Sequence, residues 1–183
     1  MKHQTPPYLL VATPFIQDPL FARSVVLIVH VDQTHVMGLI LNRESSRSCD
    51  ILTQNFDVNW HSPQKWILHG GPVQPTSVWL LHSDGWHFRH IPLMPGLGCS
   101  SRPTQDTLRY LCDQKEEKMR IYTGHSQWGV MQLKDEYLEG SWITAPADPR
   151  YIFEIPPQDI WEEVLLSLDI EPLSLVNCEQ DVH

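Results

Sequence analysis

Two neighbouring apolar runs constrain the fold of this chain more than any other feature. Residues Val25–Val31 form a continuous run rich in β-branched side chains, which predicts a strand covered on both faces. Residues His35–Asn42 follow after a short loop and read as the antiparallel partner, with Gly38 marking a bulge or a close backbone approach. We expect these two strands to form the central hairpin of a sheet.

Further strands and helices complete the predicted fold. Apolar runs bounded by Gly, Pro, Asp and Ser predict strands at Tyr8–Ala12, Trp66–His69, Val78–His82, Trp86–Ile91, Met119–Tyr122, Ser141–Thr144 and Tyr151–Ile155. The pair around Ser83-Asp84-Gly85 reads as the clearest hairpin, because Asp-Gly supplies the positive φ that such turns require. Helical patterns cover Ser45–Phe56, the segment after the Thr104 cap with its stripe Leu108, Leu111 and Cys112, Gln132–Leu138 before a stop at Gly140, and Ile160–Leu168. The result is a mixed sheet with three or four helices.

Length and charge limit the domain count and the partners. A chain of 183 residues with 42% hydrophobic content predicts one domain over 1–183, with loose polar tails at 1–7 and 177–183. The formal net charge of −9 argues against direct binding to nucleic acid. The richest basic set alternates with acidic residues and reads as a solvated face: Arg102, Arg109, Lys115, Lys118 and Arg120.

Cysteine usage and hydropathy indicate a cytoplasmic protein. The cysteines Cys49, Cys99, Cys112 and Cys178 show no C-x-x-C pair and no regular spacing, which fits reduced thiols. The longest apolar run, 25–29, is far too short to cross a bilayer. The first residues lack the apolar core and cleavage site of a secretory signal. We therefore expect no membrane partner.

Two glycine-containing bends form the candidate binding surface. The stretch 122–136 reads as strand, tight turn and helix, and the amides at a helix start have no partner inside the helix. A second bend follows the strand Trp66–His69, and we expect the two bends to meet at one end of the sheet and to shape a recess. The candidate ligand-binding residues are Gly70, Gly71, Pro72, Gly124, His125, Ser126, Trp128, Gly129, Gln132 and Glu136. Their ligand is an unidentified protein or small molecule.

A hydrolase that uses Ser126 and His125 is the alternative. The run 124–128 is similar to the G-x-S-x-G nucleophile elbow, and His69-Gly70-Gly71 is similar to an oxyanion-hole motif. Trp128 replaces the last elbow glycine, however, and the order Ser, Asp, His cannot be filled, because His183 is the one histidine after Ser126. We therefore expect a protein without a catalytic residue set.

Neither a metal site nor a cofactor site is predicted. There is no H-E-x-x-H motif, and His87 and His90 on one strand would point to opposite faces. The glycines match neither a Rossmann nor a Walker fingerprint. Asp18, Arg23 and Asn42 are expected to form a structural polar network that holds turns together.

The chain resembles the YqgE/AlgH family of bacterial proteins along nearly its whole length. The resemblance is carried by Asp18-Pro19-x-Phe21-x-x-Ser24-Val25-Val26, Gly38-Leu39-Ile40-Leu41-Asn42, Gly70-Gly71-Pro72-Val73, Gly124-x-Ser126-x-Trp128-Gly129-x-x-Gln132-Leu133-x-x-Glu136 and Trp142-x-x-x-Pro146-Ala147-Asp148. Met131 departs from the family pattern, which has Gly at that place, and residues 91–101 follow no pattern that aligns.

The resemblance implies a fold and little about activity. The implied fold is α+β, a coiled mixed β-sheet flanked by helices. The family is largely uncharacterised, and one branch is named as a transcriptional regulator of alginate synthesis. This sequence has no recognisable helix-turn-helix, so the resemblance implies a binding or regulatory module that acts indirectly.

Overall fold

A computed structural model describes residues 5–54, 60–61, 63–85, 87–113 and 118–171. The ten strands in these ranges are β1 (Tyr8–Ala12), β2 (Val25–Val31), β3 (His35–Ile40), β4 (Glu44–Ser48), β5 (Trp66–His69), β6 (Val73–His82), β7 (Ile91–Met94), β8 (Leu97–Ser101), β9 (Met119–Gly129) and β10 (Trp142–Pro146). The four α-helices there are α1 (Gln105–Asp113), α2 (Val130–Leu138), α3 (Pro149–Phe153) and α4 (Ile160–Ser167). The predicted C-terminal tail, 177–183, lies outside the described residues, as do residues 1–4 of the N-terminal tail.

The strands form one sheet with the order β10-β1-β2-β3-β9-β6-β8-β7. Strand β5 joins beside β9 and also pairs with β4. The pair β5 and β9 is parallel and the other pairs are antiparallel, so the sheet is mixed. The α+β fold with a coiled mixed sheet and four helices is confirmed.

The predicted central hairpin is present and is covered on both faces. Val25 and Leu27 of β2 belong to a core cluster that also contains Trp161 and Val164 of α4. Val26 and Ile28 belong to a second cluster on the other face. Alternate side chains of a strand point to opposite faces, so the apolar run in β2 packs into two hydrophobic clusters, one on each face of the sheet.

Strand β9 is longer than predicted and replaces the expected tight turn. It runs without interruption through Gly124, His125 and Ser126, and α2 begins only at Val130. Its first part pairs with β6 and β5, and Ser126 to Gly129 pair with β3. The prediction of strand, turn and helix around Gly124 was wrong, because Gly124 takes its positive φ of 68° inside the strand, where its neighbour changes from β5 to β3.

Three other predicted elements were wrong. Residues 87–90 lie outside any strand, and β6 pairs with β8 instead, while Trp86 lies outside the described residues. Residues 151–153 belong to α3, because the Asp148 side chain caps the amide of Arg150 and Pro149 occupies the first turn. The predicted helix Ser45–Phe56 instead covers most of β4 and a 3-10 helix at Cys49–Leu52, and its residues 55 and 56 lie outside the described residues.

The predicted helices at α1, α2 and α4 are present. Thr104 accepts a hydrogen bond from the amide of Thr107 at the start of α1, and Gly140 ends α2 with a φ of 78°. None of the helices among the described residues is long and apolar enough to span a membrane.

Candidate functional site

The two predicted glycine bends are in direct contact. A Cβ atom placed on Gly70 would lie 2.4 Å from the carbonyl oxygen of Gly124, and one placed on Gly124 would lie 2.2 Å from the carbonyl oxygen of Gly71. Because a Cβ atom cannot approach the backbone so closely, both segments of the chain need glycine where they cross. The amide of Gly70 donates to the Thr123 carbonyl at 2.9 Å. We call this contact between residues 70–71 and 124–126 the glycine seam.

The glycine seam is buried, and the Ser126 hydroxyl and the amides of Gly70 and Gly71 are paired within the chain. Ser126 is fully buried, and its hydroxyl donates to the Gly70 carbonyl over 3.1 Å. The Gly71 amide donates to Nδ1 of His69 over 3.1 Å. The two amides of the suspected oxyanion hole are therefore already occupied. The seam holds strands together and does not present an open surface.

His125 is buried on the opposite face of β9 from Ser126. Consecutive residues of a strand project to opposite faces, so the two side chains diverge. The His125 ring lies 5.5 Å from the ring of Trp79, and its Nδ1 has no hydrogen-bond partner among the described residues. Burial lowers the pKa of His125, which favours the neutral imidazole.

Beside the seam, the molecule has an open recess of about 330 Å³. It lies between the loop after β1, the end of β9, α2 and the start of β10. We call it the aromatic recess, and its lining residues are Ile16, Gln17, Asp18, Phe21, Pro72, Gln127, Trp128, Gln132, Glu136, Ser141 and Trp142.

Three aromatic rings form the apolar wall of the recess. The rings of Phe21 and Trp128 are 5.7 Å apart, those of Phe21 and Trp142 are 5.9 Å apart, and the two indoles are 5.7 Å apart at 87°. These spacings and tilts are those that aromatic pairs favour. Trp128 and Trp142 are almost fully buried, whereas Phe21 is half-buried and is the most accessible of the three.

Glu136 fixes both indoles of this wall. One carboxylate oxygen accepts from Nε1 of Trp142 at 2.8 Å and from Nε1 of Trp128 at 3.1 Å. The other oxygen accepts from the side-chain amide of Gln132 at 2.9 Å. Hydrogen bonds to a carboxylate are stronger than those between neutral groups, so this residue orients the aromatic wall.

The structure divides the predicted binding residues into two groups. Pro72, Trp128, Gln132 and Glu136 line the aromatic recess. The other predicted residues do not line it: Gly70, Gly71, Gly124, His125 and Ser126, which are buried at or next to the seam, and Gly129, the residue before α2.

Sequence reasoning missed Phe21 and Trp142 as members of the site. Both stand in the motifs that carry the family resemblance, at Asp18-Pro19-x-Phe21 and at Trp142-x-x-x-Pro146. The sequence offered only the presence of both residues in these motifs. Their contacts with each other and with Glu136 form only in the folded chain.

Two of the three residues expected to form a structural polar network, Asp18 and Asn42, make side-chain hydrogen bonds to the backbone. Asn42 accepts from the amide of Val25 at 2.9 Å and donates to the carbonyl of Arg23 at 2.9 Å. Asp18 accepts from the amides of Leu20 and Phe21, at 2.8 and 3.2 Å, within its own turn. The Arg23 guanidinium turns away toward α4, where it lies 4.8 Å from the ring centre of Trp161. Asp18 also lines the aromatic recess.

Metal ligands are not grouped in the part of the chain that the structure describes. No set of three or more His, Cys, Asp or Glu side chains there has the geometry to hold an ion. His82 is buried and has its Nε2 3.1 Å from the hydroxyl of Ser100, so it belongs to the packing between β6 and β8.

Sequence comparison places this architecture in a group of similar proteins. The AlgH-like family profile matches residues 9–173. A UPF0301 protein of Myxococcus xanthus is 31% identical over 172 residues, which is 93% of this chain and 94% of the relative. The UPF0301 protein AlgH of Pseudomonas aeruginosa is 31% identical over 168 residues, which is 87% of this chain and 88% of the relative.

Solved structures show the same fold. The solution structure of AlgH from Pseudomonas aeruginosa matches with a TM-score of 0.73 at 30% identity and covers 97% of each chain. The crystal structure of a protein from Corynebacterium diphtheriae matches with a TM-score of 0.70 at 25% identity, covering 91% of this chain and 90% of that one.

Proposed function

The chain belongs to the AlgH-like family, and we propose that it is a non-enzymatic binding protein that acts through the aromatic recess. One observation carries this proposal: the recess is open and built from paired, oriented side chains, whereas the hydroxyl of Ser126 and the imidazole of His125 are buried. A concave, largely apolar site with a few fixed polar groups is typical of a binding pocket.

The charges of the recess favour a cationic ligand. Asp18 and Glu136 both line it, and its lining contains no lysine, arginine or histidine among the described residues. Two carboxylates without a cationic neighbour attract positive charge, and aromatic rings add a cation–π attraction at short range. Phe21 is the ring that such a ligand would contact most fully. We infer that the recess takes a lysine or arginine side chain of a partner protein, or a small organic cation.

Binding rather than hydrolysis is supported by the state of the candidate nucleophile. Ser126 is fully buried and donates to a backbone carbonyl, and His125 lies on the other face of the strand. A serine nucleophile needs a base within hydrogen-bond reach and an accessible position for the substrate carbonyl, and the described residues offer Ser126 neither.

A cytoplasmic setting and an indirect regulatory role complete the proposal. Cys49, Cys99 and Cys112 are buried thiols, and burial raises the pKa of Cys49 and of Cys99 to about 12. Such thiols behave as core residues and not as disulfide partners or redox groups. The net charge of −9 repels nucleic acid, so a regulatory effect would pass through a protein partner or a small-molecule ligand.

Titration with matched amino-acid amides tests the proposal. The probes are N-acetyl-arginine amide, N-acetyl-lysine amide and the neutral N-acetyl-norleucine amide, followed by the indole N–H resonances of Trp128 and Trp142. Both indoles donate to Glu136, so their shifts report directly on this site. We expect both cationic probes to shift these resonances and the neutral probe to leave them unchanged.

Variants of the carboxylates serve as controls. Asp18→Asn removes one charge of the recess and is expected to weaken binding of the cationic probes about tenfold, which equals about 1.4 kcal/mol. Asp32→Asn makes the same charge change on an exposed turn that does not line the recess, and is expected to have no effect. Equal shifts with the norleucine amide, or equal loss in both variants, would remove the case for a cation site.

A further inference from the structure

A second cavity, of about 440 Å³, has the opposite charge to the aromatic recess. It lies where β7 and β8 meet the segment that leads into α1, and it shares no lining residue with the recess. Its basic lining residues are Arg89, His90 and Arg102, and no aspartate or glutamate among the described residues lines it. We propose that this cavity binds a small phosphorylated molecule through the guanidinium groups of Arg89 and Arg102.

The guanidinium groups of these two arginines, unlike those of most other arginines, have no partner in the part of the chain that the structure describes. Neither guanidinium makes a hydrogen bond, an ion pair or a ring contact with any residue in the described ranges. Partners are present for Arg23, Arg43, Arg120 and Arg150. In a chain with a net charge of −9, two free guanidinium groups in one cavity leave donors available for a ligand.

The backbone around both arginines is tied into the sheet. The Ser100 hydroxyl lies 3.3 Å from the carbonyl oxygen of Arg89, across the cavity floor between β8 and the loop before β7. The amide of Arg102 donates to the carbonyl of Val78 over 3.0 Å. These contacts fix the backbone of both residues at the cavity, while their side chains stay exposed and accessible to a ligand.

The other lining residues suit a phosphate ester better than a free inorganic ion. Ser101, Thr104 and Thr107 contribute hydroxyl groups, which are common phosphate ligands. Phe88 and Ile91 add apolar surface for an organic part. A planar guanidinium group can donate two hydrogen bonds to the oxygens of one phosphate. Inorganic phosphate alone would fill only part of a cavity of this size, which leaves room for an organic group. Burial raises the pKa of the Cys99 thiol to about 12, so this residue adds no negative charge to the cavity.

The sequence pattern predicts that Arg102 lies on a solvated face of mixed charge. The structure separates it from that set: both Arg102 and Arg109 of α1 are exposed, but only Arg102 of the two lines the cavity. The basic residues of the segment are therefore not equivalent, and Arg109 becomes a matched control for Arg102.

Titration of the full chain with ribose 5-phosphate, ribose and inorganic phosphate tests the proposal, with backbone amide shifts and calorimetry as readouts. We expect ribose 5-phosphate to bind and to shift the amides of residues 99–107, inorganic phosphate to bind at the same amides more weakly, and ribose to have no effect. Arg89→Gln and Arg102→Gln are each expected to weaken ribose 5-phosphate binding about tenfold or more, whereas Arg109→Gln leaves it unchanged.

A glycine variant separates loss of the ligand from loss of structure. Arg102 has a positive φ of 52°, which glycine adopts more easily than any other residue. Arg102→Gly is therefore expected to keep or raise the melting temperature and still to lose the phosphate ligand. The proposal is overturned if ribose 5-phosphate shifts no amide of 99–107, or if Arg109→Gln weakens binding as much as Arg102→Gln.

Discussion

Glu136 is the residue on which the aromatic recess depends most. Its carboxylate accepts both indole N–H groups of the wall, and both indoles are almost fully buried. A buried donor that loses its acceptor costs about 1–3 kcal/mol. The residue therefore has a structural role that is separate from any contact with a ligand.

This dual role predicts different effects for two substitutions of Glu136. Glu136→Ala leaves two buried donors unpaired and is expected to lower the free energy of unfolding by about 2–4 kcal/mol. Glu136→Gln keeps an acceptor oxygen in place and should cost about 1 kcal/mol or less. Urea unfolding followed by tryptophan fluorescence measures both. Equal losses for the two variants would show that the indole hydrogen bonds do not stabilise the fold.

Ser126 is expected to contribute stability and no chemistry. Its hydroxyl donates to the Gly70 carbonyl inside the glycine seam. Ser126→Ala should therefore lower the free energy of unfolding by about 1 kcal/mol. Wild-type protein should also not react with a fluorophosphonate serine probe. Labelling that disappears in Ser126→Ala would contradict the non-enzymatic proposal.

At the scale of elements, the glycine seam decides how β5 and β9 pack. Gly124 and Gly85 both have positive φ, of 68° and 94°, but only Gly124 faces backbone at close range. A Cβ on Gly85 would meet nothing within 4 Å. Substitutions at Gly85 and Gly124 can therefore separate the cost of a positive φ from the cost of a steric clash.

Alanine substitution at these two glycines should therefore give unequal results. Gly85→Ala carries only the cost of positive φ, about 1–2 kcal/mol. Gly124→Ala adds a clash with the Gly71 carbonyl and is expected to lose more than about 3 kcal/mol or to give insoluble protein. Melting temperature and soluble yield measure the difference. Similar melting temperatures for the two variants would contradict the tight crossing.

Sequence patterns predicted the elements whose local signals agree with their surroundings. The run in β2 is apolar on both faces because both faces are covered, and α4 has an apolar stripe that packs in the core. The hairpin expected around Asp84-Gly85 failed because the turn signal is local, whereas β8 pairs with β6 through a longer connection. No pattern within residues 86–91 could show that a later strand would take that place.

The sequence predicted only part of the candidate site, because contacts between distant segments leave no local signal. The sequence indicated that residues 70–71 and 124 come together, and the structure has them in contact. It did not indicate that this contact is sealed or that β9 continues through it. Burial depends on which elements cover a segment, and the covering elements are distant in sequence. Phe21 and Trp142 were missed as site residues because their contacts with Trp128 join segments that are far apart along the chain.

At the scale of the whole molecule, a buried histidine links stability to pH. Burial lowers the pKa of His82 from 6.5 to about 4. The unfolded chain therefore takes up a proton near pH 6.5 and the folded chain only near pH 4. Between these values unfolding binds a proton, so the stability from the neutral imidazole is complete above pH 6.5 and falls as the pH is lowered.

Because of this histidine, we expect the free energy of unfolding to fall by about 2 kcal/mol when the pH is lowered from 7.5 to 5.0. His82→Gln removes the titration and should make the loss over this range smaller by a similar amount. Urea unfolding of both proteins at the two pH values measures the effect, and groups shared by both proteins cancel in the comparison. An identical pH dependence in the two would show that His82 titrates normally in the folded chain.

Strand β9 has a consequence for synthesis on the ribosome. It pairs with β3, β5 and β6, all of which precede it in the chain. Until residue 129 has left the exit tunnel, those earlier strands have open edges along what becomes the middle of the sheet. A nascent chain that stalls near residue 118 therefore exposes strand edges with unpaired backbone N–H and C=O groups. We expect such truncated products to be substrates for chaperones and proteases.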